Sequence, residues 1–569
     1  MSAPTAAWGA LGRIGPNQRQ RLQQMTALAA SEGVHPATKL DTDQAALYGT
    51  GIRRSSSQPH QMAAAWNAAG HVETSTLSRP WPQTAQEADA CGLRIEGGHA
   101  PAVLHAGVSG TQVLYIHITE HAVFFATRLH WLAATGGDLT PDWQAWAEIL
   151  AFGAPLQGRT TFTELQRLMP MQYIQAGSGE IRRGEQHWPW EDYLPKPGAQ
   201  TSEATETAVE AMAALMRPHL RQGPANPMLS GGRDSRMLTA LALRESAEPE
   251  QVTAWTTSSD TGSAMEELVG ARTAQALGVR QRLITGSYGG FGQDFLDYAD
   301  AVDYQASFHV WLTPAARELA QHPGAIFDGI GGGVFLGGGF ADPDDAGSLS
   351  DRELIGARIA ARSRYLTAAP KVLSPQVGHA ISAAARTGAA GPAERYLHHP
   401  NGHTLTAYLI RTVPGISLAP ARVLGRAQPT AMPMVSDTVV RAALELPLEA
   451  KADGAWYPEL LAAADPRLDG MPTADDLIGT HHRRRRIASR EGAAWLAARV
   501  RSSEVRHLLS SVLAEADPAV PGGLAVWQRA LSTTRPQHLL RGLALLAQWL
   551  EVYGSQLTED DPRRIADAG

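Results

Sequence analysis

Up to about residue 190 the chain alternates short apolar segments with polar turn residues, which is a pattern typical of β-strands. Residues 113–118 and 123–126 are apolar and flank the polar residues 119–121, so we expect a hairpin there. Apolar residues recur at three- and four-residue spacing over 141–152, which predicts one amphipathic helix before Gly153. The first third of the chain is therefore predicted to consist mainly of strands.

Beyond an aromatic and proline-rich segment at 188–198, the pattern changes to strands that alternate with helices. The helix expected at 202–216 has a serine at its N-terminal cap and an acidic first turn. This alternation implies right-handed crossovers, a mostly parallel sheet and an α/β fold. Residues after 350 have mainly helical patterns, and the chain divides into two predicted domains, 1–198 and 199–569. The other expected elements of the α/β part are strands at 227–229, 252–257 and 280–284, and helices at 234–244 and 266–277.

The composition of the 569 residues excludes several classes of protein. With 44% hydrophobic and 18% charged residues, the chain is neither disordered nor a fibrous rod. A net charge of −7 argues against a dedicated nucleic-acid binder, and the single cysteine, Cys91, excludes a disulfide framework or zinc knuckle within one chain. No signal-peptide pattern precedes residue 11, and the apolar stretch at 539–550 is too short to cross a membrane. We therefore expect a cytoplasmic protein that binds neither nucleic acid nor membrane.

The most informative segment is the string SGGRDS at residues 230–235 (the glycine loop), between a predicted strand and a predicted helix. Two adjacent glycines allow a tight turn that brings backbone amides against a phosphate, and the helix N-terminus adds a positive dipole end. The hydroxyls of Ser230 and Ser235 are further donors to phosphate oxygens. Asp234 would repel a bare anion but fits a site in which a magnesium ion bridges it to phosphate. The alternative is an ordinary strand–helix turn in which serine and aspartate act only as helix caps.

The string resembles the PP-loop of the ATP pyrophosphatases, which cleave ATP between the α and β phosphates. It is not a Walker loop, because no Gly-Lys-Ser/Thr follows. Further segments resemble the asparagine synthase family, namely residues 266–279, a second glycine-rich segment at 327–338, and the N-terminal segment 124–170. The resemblance implies a class II glutamine-amidotransferase-like α+β sandwich over 1–198. It also implies a PP-loop α/β synthetase domain, with a parallel sheet and a helical C-terminal region, over 199–569.

The resemblance further implies ATP and Mg²⁺ as ligands, with the triphosphate in the glycine loop. Asp234 and Asp328 are then the expected magnesium-binding residues, and Asp234 and Arg484 are the expected catalytic residues. Ligands of open α/β sheets bind at the carboxyl ends of the strands, where most of these residues are placed. The expected ATP-binding residues are Leu229, Ser230, Gly231, Gly232, Asp234, Ser235, Thr256, Thr257, Asp328 and Gly329.

The N-terminal domain departs from the family pattern at its nucleophile. Glutamine-using members have a cysteine as the mature first residue, whereas this sequence begins Met1-Ser2-Ala3 and its only cysteine is Cys91. Serine is a much poorer nucleophile than a thiolate unless a base activates it. We therefore expect no glutamine hydrolysis, so that another amine must capture the activated carboxylate.

Two further departures affect the synthetase domain. Gly333 stands where the family has an acidic residue that helps to hold magnesium, and Asp328 or Asp342 would have to replace it. The family's lysine near the C-terminus is also missing, because no lysine follows Lys451, and the run HHRRRR at 481–486 is the available positive charge. That run either stabilises negative charge in the site or is a solvated loop.

These features favour an ATP-dependent ligase that adenylates a carboxylate and transfers it to an amine. β-Lactam synthetases and lasso peptide cyclases are branches of the family without the cysteine, and the string SGGRDSR with a closing helix at 538–549 favours macrolactam formation of the lasso cyclase kind. That reaction implies a peptide carboxylate as substrate, with a precursor peptide and a leader protease as partners; a small-molecule carboxylate is the other substrate class. The alternatives are asparagine synthesis from free ammonia and a catalytically weakened homologue that serves as a scaffold.

Overall fold

The computed structural model describes residues 5–52, 55–58, 61–72, 89–95, 100–177, 179–258, 264–338, 340–477 and 485–568. Antiparallel sheets dominate before residue 199 (the N-terminal part), and parallel strands with many helices follow (the C-terminal part). The predicted α/β fold class is therefore confirmed. No helix in the described ranges is long and apolar enough to cross a membrane.

Two antiparallel sheets form the N-terminal part, and apolar side chains from both fill the space between them, as expected for a sandwich. The predicted hairpin is confirmed as Tyr115–Ile118 and Ala122–Ala126, with Val123 paired to Ile118. In spatial order the first sheet contains Leu165–Arg167, Tyr115–Ile118, Ala122–Ala126, Ala6–Gly12, Ala45–Thr50 and Thr38–Asp41. The second contains Glu180–Glu185, Gln172–Gly177, Ala102–His105, Cys91–Ile95, Gln61–Asn67 and Ser55–Gln58, with Gly70–Val72 paired to Gln61–Asn67.

The helix expected at 141–152 is present as Trp143–Phe152. Asp142 caps it, because its carboxylate accepts a hydrogen bond from the amide of Ala145 at 2.9 Å. Gly153 ends the helix with a φ of +91°, a conformation that residues with a side chain rarely adopt. The other helices described in this part are the α-helices Pro16–Ser31 and Leu129–Ala133 and the short 3₁₀-helix Pro189–Asp192.

The sheet of the C-terminal part consists of parallel strands. In spatial order the described strands are Arg280–Ile284, Thr253–Thr257, Ala225–Pro227, Ala325–Phe327 and Thr430–Ala431. Isolated parallel bridges from Ala225 to Val252 and from Met228 to Trp255 join the first two strands to the other three. The next two strands along the chain lie on one side of Ala225–Pro227, and the last two lie on its other side. The strand order therefore reverses next to Ala225–Pro227. Ligands of open α/β sheets bind outside the carboxyl ends at such a point.

Two of the helices predicted around this sheet are confirmed as Arg233–Glu245 and Met265–Leu277. The helix predicted at 202–216 spans Thr201–Leu220, and the prediction of a serine cap is wrong. Gln200 precedes the helix, and no side chain caps it. Because the helix begins one residue earlier than expected, Ser202 lies inside its first turn.

After residue 350 most described residues are helical, as expected. Two segments, Tyr408–Ile416 and Ala419–Leu424, form π-helical turns, which are rare and are frequent at functional sites. The predicted closing helix at 538–549 is longer and spans Thr534–Tyr553. The other α-helices described in the C-terminal part are Phe291–Ala301, Leu312–Leu319, Gly332–Phe335, Asp351–Arg362, Ala369–Val372, Pro375–Arg395, Gly402–Ala407, Asp437–Leu444, Tyr457–Ala464, Arg490–Arg501, Ser511–Glu515 and Pro521–Leu531.

The closing helix packs against the N-terminal part, and both parts contribute to one hydrophobic core. The ring of Trp549 lies 5.2 Å from that of Trp146 and 5.2 Å from that of Phe162. Trp146 and Trp549 are fully buried. The domain boundary at residue 198 stays a prediction, since the core continues across it.

We expect Trp549→Ala to destabilise the protein by about 3–5 kcal/mol, the usual effect of truncating a buried tryptophan. Val552→Ala on the same helix is the matched control, because Val552 is 37% exposed. Thermal unfolding followed by circular dichroism should show a clearly lower midpoint for Trp549→Ala only. Equal midpoints for the two variants would show that this aromatic contact does not hold the parts together.

Candidate functional site

A cavity of about 610 Å³ opens at the carboxyl ends of the parallel strands. Met228 and Leu229, which were expected inside a strand, lie just beyond Ala225–Pro227 and line the cavity. Asp328 reaches it directly after the neighbouring strand, Ala325–Phe327. The cavity therefore lies where the strand order reverses, and its volume is within the roughly 300–1,000 Å³ of small-molecule sites.

Most of the residues expected to bind ATP line this cavity together. Thr257 does so and Thr256 does not, because successive residues of a strand point to opposite faces. The hydroxyl of Thr256 is buried and accepts a hydrogen bond from the side-chain amide of Gln281 at 2.7 Å. Gly231 is also not among the described residues of the lining. The expected residues that line the cavity are Leu229, Ser230, Gly232, Asp234, Ser235, Thr257, Asp328 and Gly329.

Hydrogen bonds from protein groups hold the glycine loop in place. The Ser235 hydroxyl accepts from the amide of Ser230 at 2.9 Å, and the Ser230 hydroxyl accepts from the amide of Gly232 at 3.1 Å. The amide of Gly231 donates to the carboxylate of Glu266 at 2.7 Å. These three amides, which the sequence suggested as phosphate donors, are thus engaged within the protein.

The helix that follows the loop offers a second set of donors. Arg233–Glu245 begins at the edge of the cavity, and no side chain caps it at Gly232. The first amides of an α-helix have no partner within the helix, and the helix dipole places partial positive charge there. This uncapped N-terminus, together with the hydroxyls of Ser230 and Ser235, is an arrangement that binds phosphate groups.

Asp234 projects from the first turn of this helix towards the second glycine-rich segment. Its carboxylate accepts hydrogen bonds from the hydroxyl of Tyr457 and from the amide of Gly333. A Cβ at Gly332 would lie 2.2 Å from this carboxylate, so only glycine permits the close approach. Burial raises the pKa of Asp234 to about 6, and the nearby negative charge of Asp328 adds to the shift.

Asp328 is the second carboxylate of the cavity. Its Oδ1 atom accepts a hydrogen bond from the amide of Ile330 at 2.9 Å, and burial raises its pKa to about 6. Two carboxylates with phosphate oxygens and water are ligands that Mg²⁺ accepts. The described residues contain no group of three or more His, Cys, Asp or Glu side chains that would hold a metal ion by themselves. Asp234 and Asp328 therefore fit a magnesium ion that binds together with a phosphate ligand.

The structure distinguishes Asp328 from Asp342, the two residues considered as substitutes for the acidic residue that the resemblance led us to expect at position 333. Asp342 is paired with Arg358 at 2.6 Å, lies 3.4 Å from the ring of His403, and is outside the described lining. Gly333 does line the cavity, and a Cβ there would meet no atom within 4 Å. Of the two substitutes, only Asp328 faces the cavity, and open space remains at Gly333.

Arg484, the expected catalytic arginine, lies outside the described residues. The two arginines that follow it have structural contacts. Arg486 is buried and donates to the carboxylate of Asp294 at 2.5 Å. Arg485 donates to the side-chain oxygen of Gln537 at 2.8 Å. These contacts attach the end of the arginine run to two helices of the C-terminal part.

Several residues that line the cavity or contact its carboxylates were not among the expected site residues. Tyr457 contacts Asp234 although no motif marks it. Glu266 lies in a segment that resembles the family, but the resemblance suggested no role for it. His309 and Arg411 also line the cavity, and they are far from the glycine loop in sequence. No spacing rule would have connected these side chains to the loop.

We expect Tyr457→Phe to weaken ATP binding by about 10- to 100-fold without abolishing it, since a hydrogen bond to a charged group contributes about 1.5–3 kcal/mol. Isothermal titration calorimetry with ATP and Mg²⁺ measures this effect. Tyr193→Phe is the matched control, because the Tyr193 hydroxyl donates to another carboxylate, that of Asp437. An affinity that falls equally in both variants would contradict a specific role for the Tyr457 hydroxyl.

Cys91 is fully buried in the strand Cys91–Ile95. Burial raises the pKa of its thiol to about 12, so the reactive thiolate does not form near neutral pH. A thiol in this environment is a poor nucleophile.

No protein-family model and no curated protein matches this chain. Among solved structures, the chain is similar over 50% of its length to glutamine phosphoribosylpyrophosphate (PRPP) amidotransferase from B. subtilis complexed with ADP and GMP. The match covers 67% of that chain, with 10% sequence identity and a TM-score of 0.19. At these values the similarity is weak, and it identifies neither a family nor an activity.

Proposed function

We propose that the protein is an ATP-dependent ligase that activates a carboxylate as an acyl-adenylate and transfers it to an amine. The observation that supports this most directly is that Asp234 and Asp328 line one cavity beside the uncapped N-terminus of Arg233–Glu245. Two carboxylates next to a phosphate-binding helix end suit a nucleoside triphosphate that binds with Mg²⁺.

Each group of the cavity would have a defined task. The triphosphate would lie against the amides of the first helical turn and the hydroxyls of Ser230 and Ser235. Asp234 and Asp328 would hold Mg²⁺, which neutralises part of the phosphate charge when bound. The adenine would lie near Leu229. The main contribution of the protein would be positioning and electrostatic stabilisation of the departing pyrophosphate.

The proposed reaction has two steps. An oxygen of the substrate carboxylate attacks the α-phosphorus of ATP, the bond between the α-phosphorus and the bridging oxygen breaks, and pyrophosphate leaves with the electron pair. The nitrogen of the amine then attacks the acyl carbon, AMP leaves, and the nitrogen loses one proton. The products are an amide, AMP and pyrophosphate.

The favoured acceptor is an amine of the same peptide, which gives a macrolactam as in lasso peptide cyclases. The string SGGRDSR and the long closing helix Thr534–Tyr553 support this preference. A peptide substrate would imply a precursor peptide and a protease that removes its leader. A second candidate is a weakened homologue that binds nucleotide without catalysis, and the open space at Gly333, where the family has a carboxylate, favours it.

Carboxylate-dependent exchange of labelled pyrophosphate into ATP tests the proposal, with aspartate, small β-amino acids and peptides that contain Asp or Glu as donors. Exchange with a peptide would support macrolactam formation, whereas exchange with aspartate alone would support asparagine synthesis from ammonia. ATP binding without exchange for any donor would favour the weakened homologue. A protein that does not bind ATP would contradict the proposed function.

A further inference from the structure

The string SGGRDSR ends in an arginine, Arg236, that has no role in the proposed ATP site. Arg236 lies in the first turn of Arg233–Glu245, directly after the glycine loop. Its side chain is fully buried, which is rare for arginine unless the group is paired. It is also outside the described lining of the cavity. The position of this buried cation behind the glycine loop therefore needs its own explanation.

Arg236 donates four hydrogen bonds within the described structure, and each goes to a backbone carbonyl oxygen. Two go to the glycine loop, where Nε donates to the carbonyl of Gly232 and Nη2 to that of Gly231, both at 3.0 Å. The other two go to the carbonyls of Met471 and Pro472, both at 3.1 Å. The guanidinium thus joins the glycine loop to a segment that is distant in sequence.

Residues 471–474 also pack directly against the glycine loop. The amide of Ala474 donates to the carbonyl of Gly231 at 3.1 Å. A Cβ at Gly231 would lie 2.7 Å from the Cβ of Ala474 and 3.1 Å from the Cα of Glu266, so only glycine fits between them. The loop is therefore held between residues 471–474 and the helix Met265–Leu277.

These contacts determine which groups of the loop face the cavity. Carbonyl oxygens carry partial negative charge and would repel a phosphate group. Arg236 binds the carbonyls of Gly231 and Gly232 from the buried side, whereas Ser230 and Ser235 line the cavity. The hydroxyls and the uncapped helix end are thus presented to a ligand, and the carbonyl oxygens are not.

The buried charge of Arg236 is a second observation that points to an anion. Within the described part of the chain, no Asp or Glu forms an ion pair with Arg236, and Asp476 and Glu266 act on it only through space. A buried cation is unfavourable unless negative charge compensates it. Phosphate groups on the other side of the glycine loop would supply that charge.

We propose that Arg236 is a positioning residue of the ATP site, which orients the glycine loop towards the phosphates and stabilises their charge from behind the loop. This inference rests on the proposed function, which places the triphosphate at the loop. Arg236 does not touch the nucleotide, because it acts through the carbonyls of Gly231 and Gly232. The alternative is that Arg236 only attaches residues 471–474 to the fold, in which case its loss would lower stability without a specific effect on phosphate binding.

Two ligands of the full-length protein distinguish these roles. Calorimetry measures the affinity for α,β-methylene-ATP with Mg²⁺, and ligand-observed NMR measures the affinity for adenosine, which has no phosphate. We expect Arg236→Gln to weaken binding of the analogue at least about tenfold, as for the loss of one hydrogen bond to a charged group, and to leave adenosine binding nearly unchanged. Arg236→Lys keeps the charge but loses the planar fork, so it should recover only part of the affinity.

Arg244→Gln is the matched control. Arg244 lies near the other end of the same helix and also donates to a backbone carbonyl, that of Ala463 at 3.2 Å. Its replacement should leave the affinities for both ligands unchanged. Thermal unfolding of each variant separates loss of stability from loss of binding.

The outcomes separate this inference from the proposed function. If Arg236→Gln weakens binding of both ligands equally, or of neither, the inference is overturned and the proposed function stands. If Arg236→Gln does not fold, Arg236→Lys decides, and an unchanged affinity for the analogue in that variant would overturn the inference. A specific loss of analogue binding, in a protein without carboxylate-dependent pyrophosphate exchange, would contradict the proposed function and support the role of Arg236.

Discussion

Replacing Asp234 by asparagine is expected to reduce pyrophosphate exchange by about 100- to 1,000-fold, the usual effect of removing one electrostatic contact from a catalytic site. Asparagine has nearly the same shape and still accepts the hydrogen bond from the Tyr457 hydroxyl, but it brings no charge to a magnesium ion. The loss should therefore come from charge and not from a disturbed fold. Exchange rates measure the effect on catalysis, and titration with ATP and Mg²⁺ measures the effect on binding.

Asp351→Asn is the matched control for this variant. Asp351 also lies in the first turn of a helix, Asp351–Arg362, but its side chain is 71% exposed and outside the described lining of the cavity. Its exchange rate should stay within about twofold of the unsubstituted protein, as for most surface substitutions. Full exchange activity in Asp234→Asn would contradict the role assigned to Asp234.

The second large effect is expected from Gly332→Ala. A Cβ at this position would lie 2.2 Å from the nearest carboxylate atoms of Asp234, far inside van der Waals contact. Rotation of the Asp234 side chain is the least costly relief, and it would break the hydrogen bond from Tyr457. We expect exchange to fall about 100-fold, because a displacement of about 1 Å in a catalytic group has effects of that size. The unfolding midpoint should change little, since the displaced group is a single side chain facing the cavity.

Gly333→Ala is the neighbouring control, in the same short helix Gly332–Phe335. It adds the same methyl group, but a Cβ at Gly333 would meet no atom within 4 Å. Exchange in Gly333→Ala should therefore fall much less than in Gly332→Ala, although Gly333 also lines the cavity. If exchange falls equally in Gly332→Ala and Gly333→Ala, the close approach to Asp234 is not the reason that position 332 requires glycine.

Local patterns predicted much of the secondary structure, because their physical causes lie within a few residues. The helix Trp143–Phe152 was predictable from its apolar spacing and from Gly153, which ends it. The parallel sheet followed from the alternation of strands and helices. The expected cap at Ser202 failed because helix ends are the least certain feature of such patterns, and Thr201–Leu220 begins one residue earlier.

The candidate site was predictable only where its residues are neighbours in sequence. The string SGGRDS placed Ser230, Asp234 and Ser235 at one cavity. It did not reveal that the carboxylate of Glu266 accepts a hydrogen bond from the amide of Gly231. That contact depends on how the helix that contains Glu266 packs against the glycine loop. Arg411 comes from a distant π-helical segment, and only the fold brings it to the cavity. Such contacts depend on tertiary structure, which a single sequence pattern does not encode.

A crystal structure with α,β-methylene-ATP and Mg²⁺ tests the central claim most directly, because the analogue cannot be cleaved between its α and β phosphates. We expect the phosphates to contact the first turn of Arg233–Glu245, with the metal ion between them and the carboxylates of Asp234 and Asp328. The adenine should lie beside Leu229. A nucleotide bound outside this cavity, or bound with its phosphates turned away from this helix end, would contradict the account.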